Sequence, residues 1–321
     1  MHMVVGITGA SGYIGSALFE RHLASGDEVR ILTRAGTGLR TIAQRPVPEQ
    51  VTAICGDLAD PDDNLTRFAD GLDVLYHCAG EVRDQVRMPA VNVGGTQALL
   101  DAAKGRIGRW VQLSSAGVYG RHRDGIVVEE MPLAPVGLYE ETKASADALV
   151  FEAAYEGRLA SAVVLRPSIV FGEGMPNQSI VQMARVIDRG LFFFIGAPGA
   201  SANYVHRSNV VDALILCGAS PAADKRVYNL SDWCTIEDFA GAIADALGRR
   251  RPSLRLPEPP VRAAVRTFGR LANLPLTESR VDALVNRSRY PIARIEQELG
   301  YGVAVPIADG IVRMLNARRA A

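Results

Sequence analysis

Tyr139 and Lys143 lie four apart within Leu138–Tyr155, a stretch with the apolar spacing of a helix, so both side chains leave one face of that helix. A phenol beside an ammonium is an acid–base device. Tyrosine ordinarily ionises at about pH 10, and adjacent positive charge, as from an ammonium, stabilises the phenolate and makes its proton transferable closer to neutrality. Only three of the 35 Lys-plus-Arg residues are lysines, Lys104, Lys143 and Lys225, so a chain that uses arginine almost everywhere has a lysine at this position. A compact ammonium reaches a phenol and ribose hydroxyls together; a planar guanidinium fork does not. Upstream, an apolar run leads into Leu113-Ser114-Ser115-Ala116-Gly117-Val118-Tyr119-Gly120. A hydroxyl at the C-terminal end of a buried strand points into the crevice of an open α/β sheet, where it can donate to a reacting carbonyl oxygen.

A second group of residues reads as a phosphate cradle. The first apolar run ends in Thr8-Gly9-Ala10-Ser11-Gly12-Tyr13-Ile14-Gly15 and opens directly into a helical pattern. Gly9 permits the tight turn, Gly12 lets backbone N–H groups approach a pyrophosphate at the helix N-terminus, and Gly15 lets helix and strand pack closely. Gly9, Ser11, Gly12, Tyr13, Ile14 and Gly15 are therefore expected to touch a dinucleotide. Where an acidic residue would accept the adenosine ribose hydroxyls of NAD, the second run ends Leu32-Thr33-Arg34. Arg34, with Arg40 beyond it, can grip a 2′-phosphate, which favours NADP and leaves NAD as the alternative. Asp57, in Gly56-Asp57-Leu58, is placed to accept from an adenine amino group, or else simply turns the chain.

These residues require a frame. Strands are expected at Val4–Thr8, Glu28–Thr33, Val51–Cys55, Val74–Cys78, Trp110–Ser114 and Ala162–Arg166, and helices at Tyr13–Ala24, Pro89–Lys104 and Leu138–Tyr155. The strands are nearly continuous apolar runs, as in a parallel sheet covered on both faces, so the fold class is α/β, a Rossmann-type doubly wound parallel sheet. Residues 1–170 form the dinucleotide-binding domain. Two strand–helix pieces, Tyr204–Leu216 and Val227–Leu247, read as returns to that sheet, within about 203–232. Residues 171–202 and 233–321 form a smaller, discontinuous C-terminal substrate lobe, rich in Gly and Pro at its start.

The 321 residues carry 35 Lys plus Arg against 35 Asp plus Glu, so no net field favours nucleic acid or an acidic membrane as partner. Cys55, Cys78, Cys217 and Cys234 show no metal-ligand spacing and read as reduced, structural thiols, and no metal is expected. No stretch has the length and apolarity of a membrane span, and the expected location is the cytoplasm.

The ordered motifs resemble the extended short-chain dehydrogenase/reductases, a family of nucleotide-sugar epimerases, dehydratases and ketoreductases, hydroxysteroid dehydrogenases and dihydroflavonol reductases. The likeness runs through TGASGYIG, HCAG at His77–Gly80, NVGGT at Asn92–Thr96, SSAGVYG at Ser114–Gly120, YEETK at Tyr139–Lys143, LRPSIVFG at Leu165–Gly172 and NYVHRSNVVDA at Asn203–Ala213. The resemblance implies Ser115 as the catalytic hydroxyl, Tyr139 as the acid/base and Lys143 as the group that lowers its pKa and holds the nicotinamide ribose. It also implies that Leu58, Ala79, Gly80, Ser114, Pro167 and Ile169 line the cofactor, and that a homodimer forms through the Asn92 and Tyr139 helices. His77, Asn92 and His206 read as scaffold.

The expected reaction is hydride transfer at a secondary alcohol or ketone carbon of a small molecule. Sugar-nucleotide 4,6-dehydratases carry Asp-Glu directly after the catalytic hydroxyl; this chain has Ala116-Gly117, which disfavours dehydration. The first expectation is a nucleotide-linked sugar, in a 4-ketoreductase or epimerase; the alternative is an uncharged ketone or alcohol such as a sterol or flavonoid. A non-catalytic dinucleotide sensor is the remote third reading. Glu81, Gly117, Asn177 and Arg280 are the expected substrate contacts, Arg280 because it could hold a diphosphate where Ala202 replaces the arginine common before the Tyr-Val-His motif.

Overall fold

The computed structural model describes residues 2–34, 48–176, 178–268 and 276–320. Its strands are β1 (Val4–Thr8), β2 (Glu28–Thr33), β3 (Val51–Cys55), β4 (Leu72–His77), β5 (Ile107–Leu113), β6 (Ala162–Pro167), β7 (Ile169–Phe171), β8 (Phe194–Ile195), β9 (Ser201–His206), β10 (Arg226–Leu230), β11 (Asp232–Thr235) and β12 (Arg255–Leu256). The helices are α1 (Tyr13–Ala24), α2 (Asn64–Ala69), α3 (Gly95–Ala103), α4 (Leu138–Tyr155), α5 (Ser179–Asp188), α6 (Arg207–Ala219), α7 (Ile236–Leu247), α8 (Glu258–Phe268), α9 (Glu278–Val285), α10 (Ala293–Leu299) and α11 (Ile307–Ala320).

Seven strands form one sheet in the order β10-β6-β5-β4-β1-β2-β3, with parallel pairing throughout. This is the expected doubly wound Rossmann-type sheet. Its two apolar faces pack against separate helix layers, one with Leu18, Phe19, Val210 and Leu214 and the other with Leu99, Leu100, Val150 and Ala153. Burial on both faces explains why the strands read as unbroken apolar runs.

Two expectations change. The strand before α6 does not return to the main sheet: β9 pairs with β7 and, antiparallel, with β11 in a separate three-stranded sheet, and β10 alone extends the large one. Ser201, Ala202, Asn203 and Tyr204 of β9 line a cavity beside this small sheet. The helix expected over Pro89–Lys104 is also not uniform. Ala90–Gly94 winds as a wider π-type turn before α3 begins at Gly95. There the Asn92 side chain is bonded across to other segments, and such insertions are the usual cause of a widened turn.

Beyond the sheet, α5, α7, α11 and β9 enclose a third apolar core around Phe171, Ile180, Phe194, Phe239 and Ile311.

Candidate active site

β1 pairs with β2 on one side and with β4 on the other, so the chain leaves the C-terminal ends of these strands in opposite directions and opens a crevice between them. The glycine loop lies there. Gly9 has φ +69°, and a Cβ on it would stand 2.7 Å from the Ala79 nitrogen; a Cβ on Gly15 would stand 2.2 Å from the Gly9 carbonyl oxygen. Gly12 caps α1 in extended conformation with no side chain to offer, and the first turn holds no acidic residue. The first amides of α1 are thus kept for an outside anion, which fits a pyrophosphate. Ser11 is exposed and Ile14 packs on the sheet core. Tyr13 lies under the Arg207 guanidinium, 4.9 Å above its ring, and burial pushes its phenol up to about 12.

A chain of buried hydrogen bonds ties this loop to α4. The Ala79 N–H donates to Thr8 Oγ1 (3.1 Å), and Thr8 Oγ1 bonds His77 Nδ1 (2.8 Å). His77 Nε2 bonds Thr96 Oγ1 (3.0 Å), which donates to the Asn92 carbonyl (2.7 Å). Because the Thr96 hydrogen is spent on Asn92, His77 must donate from Nε2 and accept from Thr8 at Nδ1. Burial, and secondarily the charge of Lys143, pushes His77 down to about 3, so the ring is neutral. The Asn92 amide exchanges bonds with the Glu81 backbone (2.7 and 3.0 Å) and donates to Thr142 Oγ1 (3.0 Å); Thr142 donates to the Tyr139 carbonyl (2.9 Å). His77 and Asn92 are both buried within this chain of bonds. His206 caps α6 and bonds Glu173 (3.2 Å).

Tyr139 occupies the first turn of α4, half-buried, and no group among the described residues takes up its hydroxyl. Burial, with the charges of Glu140 and Asp147, pushes the phenol up to about 12, so it is a proton donor at neutral pH. Lys143 follows one turn later, buried, its ammonium donating to the Leu113 carbonyl at the end of β5; burial lowers its pKa and Asp147 opposes that. Ser115 follows two residues on and caps a 3₁₀ turn, Ala116–Tyr119, by accepting the Gly117 N–H (3.1 Å), which leaves its own O–H to donate elsewhere. Lys143 and Ser115 therefore meet at the end of β5, and Tyr139 stands one helical turn before Lys143 on α4.

Ser114 has a different job from the one expected. Its hydroxyl donates to Asp147 (2.8 Å), which also receives Arg166 (3.1 Å); Arg166 donates to Tyr119 (3.0 Å) and Tyr119 to Asn229 (3.0 Å). Asp147 was missed from the sequence, although one more step of four from Lys143 reaches it.

Above Ser115 lies a cavity of about 820 Å³. Its walls are mainly apolar, with Ile180, Met183, Phe192, Phe193, Leu284 and Tyr290 among them, and Ser115, Gly117, Glu140, Pro167 and Ile169 line it as well. Arg185, Arg189 and Arg280 also line it, and Arg280 donates to Gln182. Glu81 is used elsewhere: one carboxylate oxygen accepts the Val82, Arg83 and Asp84 amides, which hold its pKa down. Asp57 accepts the Ala59 amide (3.0 Å) and faces Arg87 (3.2 Å). Leu58 is buried at Gly95, where an added Cβ would stand 2.6 Å from it. Arg34 is exposed directly after β2. Arg40 and Asn177 lie outside the described residues.

The fold and these motifs define the class. The chain belongs to the NAD dependent epimerase/dehydratase family, whose model matches residues 5–231, and is an enzyme of the extended short-chain dehydrogenase/reductase kind. It is 29% identical to a 3 beta-hydroxysteroid dehydrogenase/Delta 5→4-isomerase of Mycobacterium tuberculosis, over 92% of this chain and 85% of that one. It is 28% identical to 4-hydroxy-2-methyl-3-oxo-4-farnesyl-3,4-dihydroquinoline-1-oxide ketoreductase of Stigmatella aurantiaca, over 97% and 95%. In fold it is similar to UDP-glucuronic acid 4-epimerase from Bacillus cereus in complex with NAD, with a TM-score of 0.76, 19% identity and 99% of each chain covered. No helix among the described residues is long and apolar enough to cross a membrane, and none of their side chains cluster as a metal site.

Proposed function

We propose that this enzyme reduces, and in reverse oxidises, a bulky, largely apolar ketone/secondary-alcohol pair with NADP(H). The observation that carries this reading is the cavity beside Ser115, about 820 Å³ and walled chiefly by aliphatic and aromatic side chains. A site of that lining gains affinity chiefly by removing hydrocarbon from water. The two relatives named above, by their names a hydroxysteroid dehydrogenase and a ketoreductase of a farnesylated ring, support it.

In the proposed mechanism Ser115 and Tyr139 donate hydrogen bonds to the ketone oxygen, and Tyr139 passes its proton to that oxygen as the alcohol forms. The nicotinamide supplies hydride to the carbonyl carbon, or takes it in the reverse direction. Lys143, fixed by the Leu113 carbonyl, contributes the positive field that steadies the phenolate left behind. A phenol raised by burial is in its donor form at neutral pH, which suits reduction; alcohol oxidation needs the phenolate and should climb with pH. Arg34 supports NADP, because a guanidinium binds a 2′-phosphate and cannot accept from ribose hydroxyls.

Arg185, Arg189 and Arg280 on the same cavity favour a second reading, a sugar nucleotide held by its diphosphate. Steady-state assays with NADPH and NADH, on a sterol or long-chain ketone and on a nucleotide 4-keto-sugar, separate the two. The expected result is turnover of the apolar ketone, faster with NADPH at low cofactor concentration. Efficient turnover of the keto-sugar alone would overturn the reading.

A further inference from the structure

The cavity beside Ser115 is charged unevenly. Arg185, in the last turn of α5, and Arg189, which caps that helix, both line it, four residues apart and so on one face. Both are exposed, as is Leu191 (66%) beside them, so the cavity opens to solvent here. Arg280 reaches the same helix from α9, where it donates to Gln182, three residues before Arg185. The carbonyl end of a helix draws cations, which accounts for arginines on α5 itself but not for one brought from another helix. Asp188, the acid between the first two, is taken by Arg249 (2.9 Å), and among the described residues no hydrogen bond or ion pair engages Arg185 or Arg189. Like charges that converge without a counter-ion repel one another, and a bound anion relieves the repulsion.

Glu140 brings the opposite charge to the same wall. A Cβ on Gly117 would stand 3.0 Å from Glu140 Cγ and 3.3 Å from Ser115 Oγ, so this side chain stands on the Ser115 side of the cavity, and no ion pair among the described residues joins it to the arginines. The rest of the wall is chiefly apolar. We propose that the substrate is an amphipathic anion: an apolar ketone whose carboxylate or phosphate group is held by Arg185 and Arg189 while its hydrocarbon body fills the cavity toward Ser115. This rests on the apolar-ketone reading and narrows it. One continuous space of about 820 Å³ is lined by the arginines and by Ser115, the size of a pocket for a single ligand. A guanidinium offers paired N–H donors to two oxygens of a carboxylate or phosphate. Glu140 repels such a group, so the ligand enters with its charged end on α5 and its apolar body inward, and charge decides which part of a long ketone meets the hydride donor. The arginines then need no sugar to explain them.

The test uses the full chain and three probes: a medium-chain methyl ketone ending in a carboxylate, its methyl ester, and the matching phosphate monoester. Calorimetry with saturating NADP⁺, which keeps the probes off the phosphate cradle, reads binding; NADPH consumption reads reduction. At low salt the acid or the phosphate should bind, and be reduced in kcat/KM, at least about tenfold better than the ester. That advantage should shrink several-fold as salt is raised to about 0.15 M, because the arginines are exposed. In the R185Q/R189Q double variant it should fall at least about tenfold even at low salt. Whichever anion shows the larger advantage identifies the head group. NADPH affinity by fluorescence titration checks that the variant is folded. Equal handling of acid, phosphate and ester by wild type, or an advantage unchanged in the double variant, would overturn the proposal while leaving the apolar-ketone reading in place. Turnover of a nucleotide 4-keto-sugar with none of the three ketones reduced would sink that reading and this substrate with it.

Discussion

In the proposed mechanism Tyr139 would carry the proton, Lys143 the positive charge and Ser115 a hydrogen bond, and only Tyr139 and Lys143 share an element. Removing the phenolic oxygen in Tyr139→Phe should lower turnover by roughly 10²–10⁴-fold while NADPH affinity stays within about threefold, since the glycine loop is untouched. Near-normal turnover by stopped-flow or steady-state assay would take the acid–base role away from Tyr139. The pair was legible because a period of four on a helix needs no tertiary knowledge. Asp147 extends the same period and was passed over, because a buried acid beside Ser114 and Arg166 is recognisable only when β5 and β6 are seen to bring those partners together.

At the level of elements, the agreement follows burial. β1, β2, β3, α1 and α4 begin and end where the apolar patterns do. β4 and β5 start earlier than the patterns suggested, at Leu72 and Ile107, because Asp73 and Gly108-Arg109 interrupt the apolar runs. Asp73 is tolerated there because its carboxylate accepts the Val4 amide (2.8 Å), and Gly108 is required because a Cβ would stand 2.7 Å from the Asp73 carbonyl oxygen. The strands β7, β9 and β11 carry short, mixed sequences whose pairing is set by distant segments, so they could not be read individually. A close contact at the start of α1 yields a prediction. A methyl group at Gly15 would meet the backbone of Gly9 and Ala10, with nearest atoms at 2.2, 2.8 and 3.2 Å, and backbone cannot rotate aside. Gly15→Ala should lift α1 from the loop, weaken NADPH binding at least about tenfold and cost roughly 1–3 kcal/mol in stability. Fluorescence titration and chemical denaturation read the two effects; wild-type affinity would show that the loop does not need the close approach.

Across the whole molecule, the buried chain from Thr8 through His77, Thr96, Asn92 and Thr142 to Tyr139 joins the glycine loop to α4, and it has a pH signature. Folding lowers His77 from 6.5 to about 3, so between those values the unfolded chain binds a proton that the folded protein refuses. Its contribution is complete above pH ~6.5 and is lost progressively as pH falls toward ~3, on the order of a few kcal/mol in total. His77→Gln removes the titration. It should lower stability at pH 8 through the broken chain, yet flatten the acid limb of the stability curve measured by urea denaturation from pH 8 to 4. An acid limb as steep as that of wild type would place the proton uptake elsewhere.

The strand order has a consequence for how the protein is made. β6 is buried along its whole length, but its outer neighbour β10 is not synthesised until residues 226–230, after the intervening lobe. While the ribosome builds that stretch, β6 presents a bare row of amides and carbonyls flanked by Val163, Val164 and Leu165, an adhesive edge in a nascent chain. Slower synthesis over residues 168–225 is therefore expected to lower the fraction of native enzyme, read by cell-free translation at different speeds.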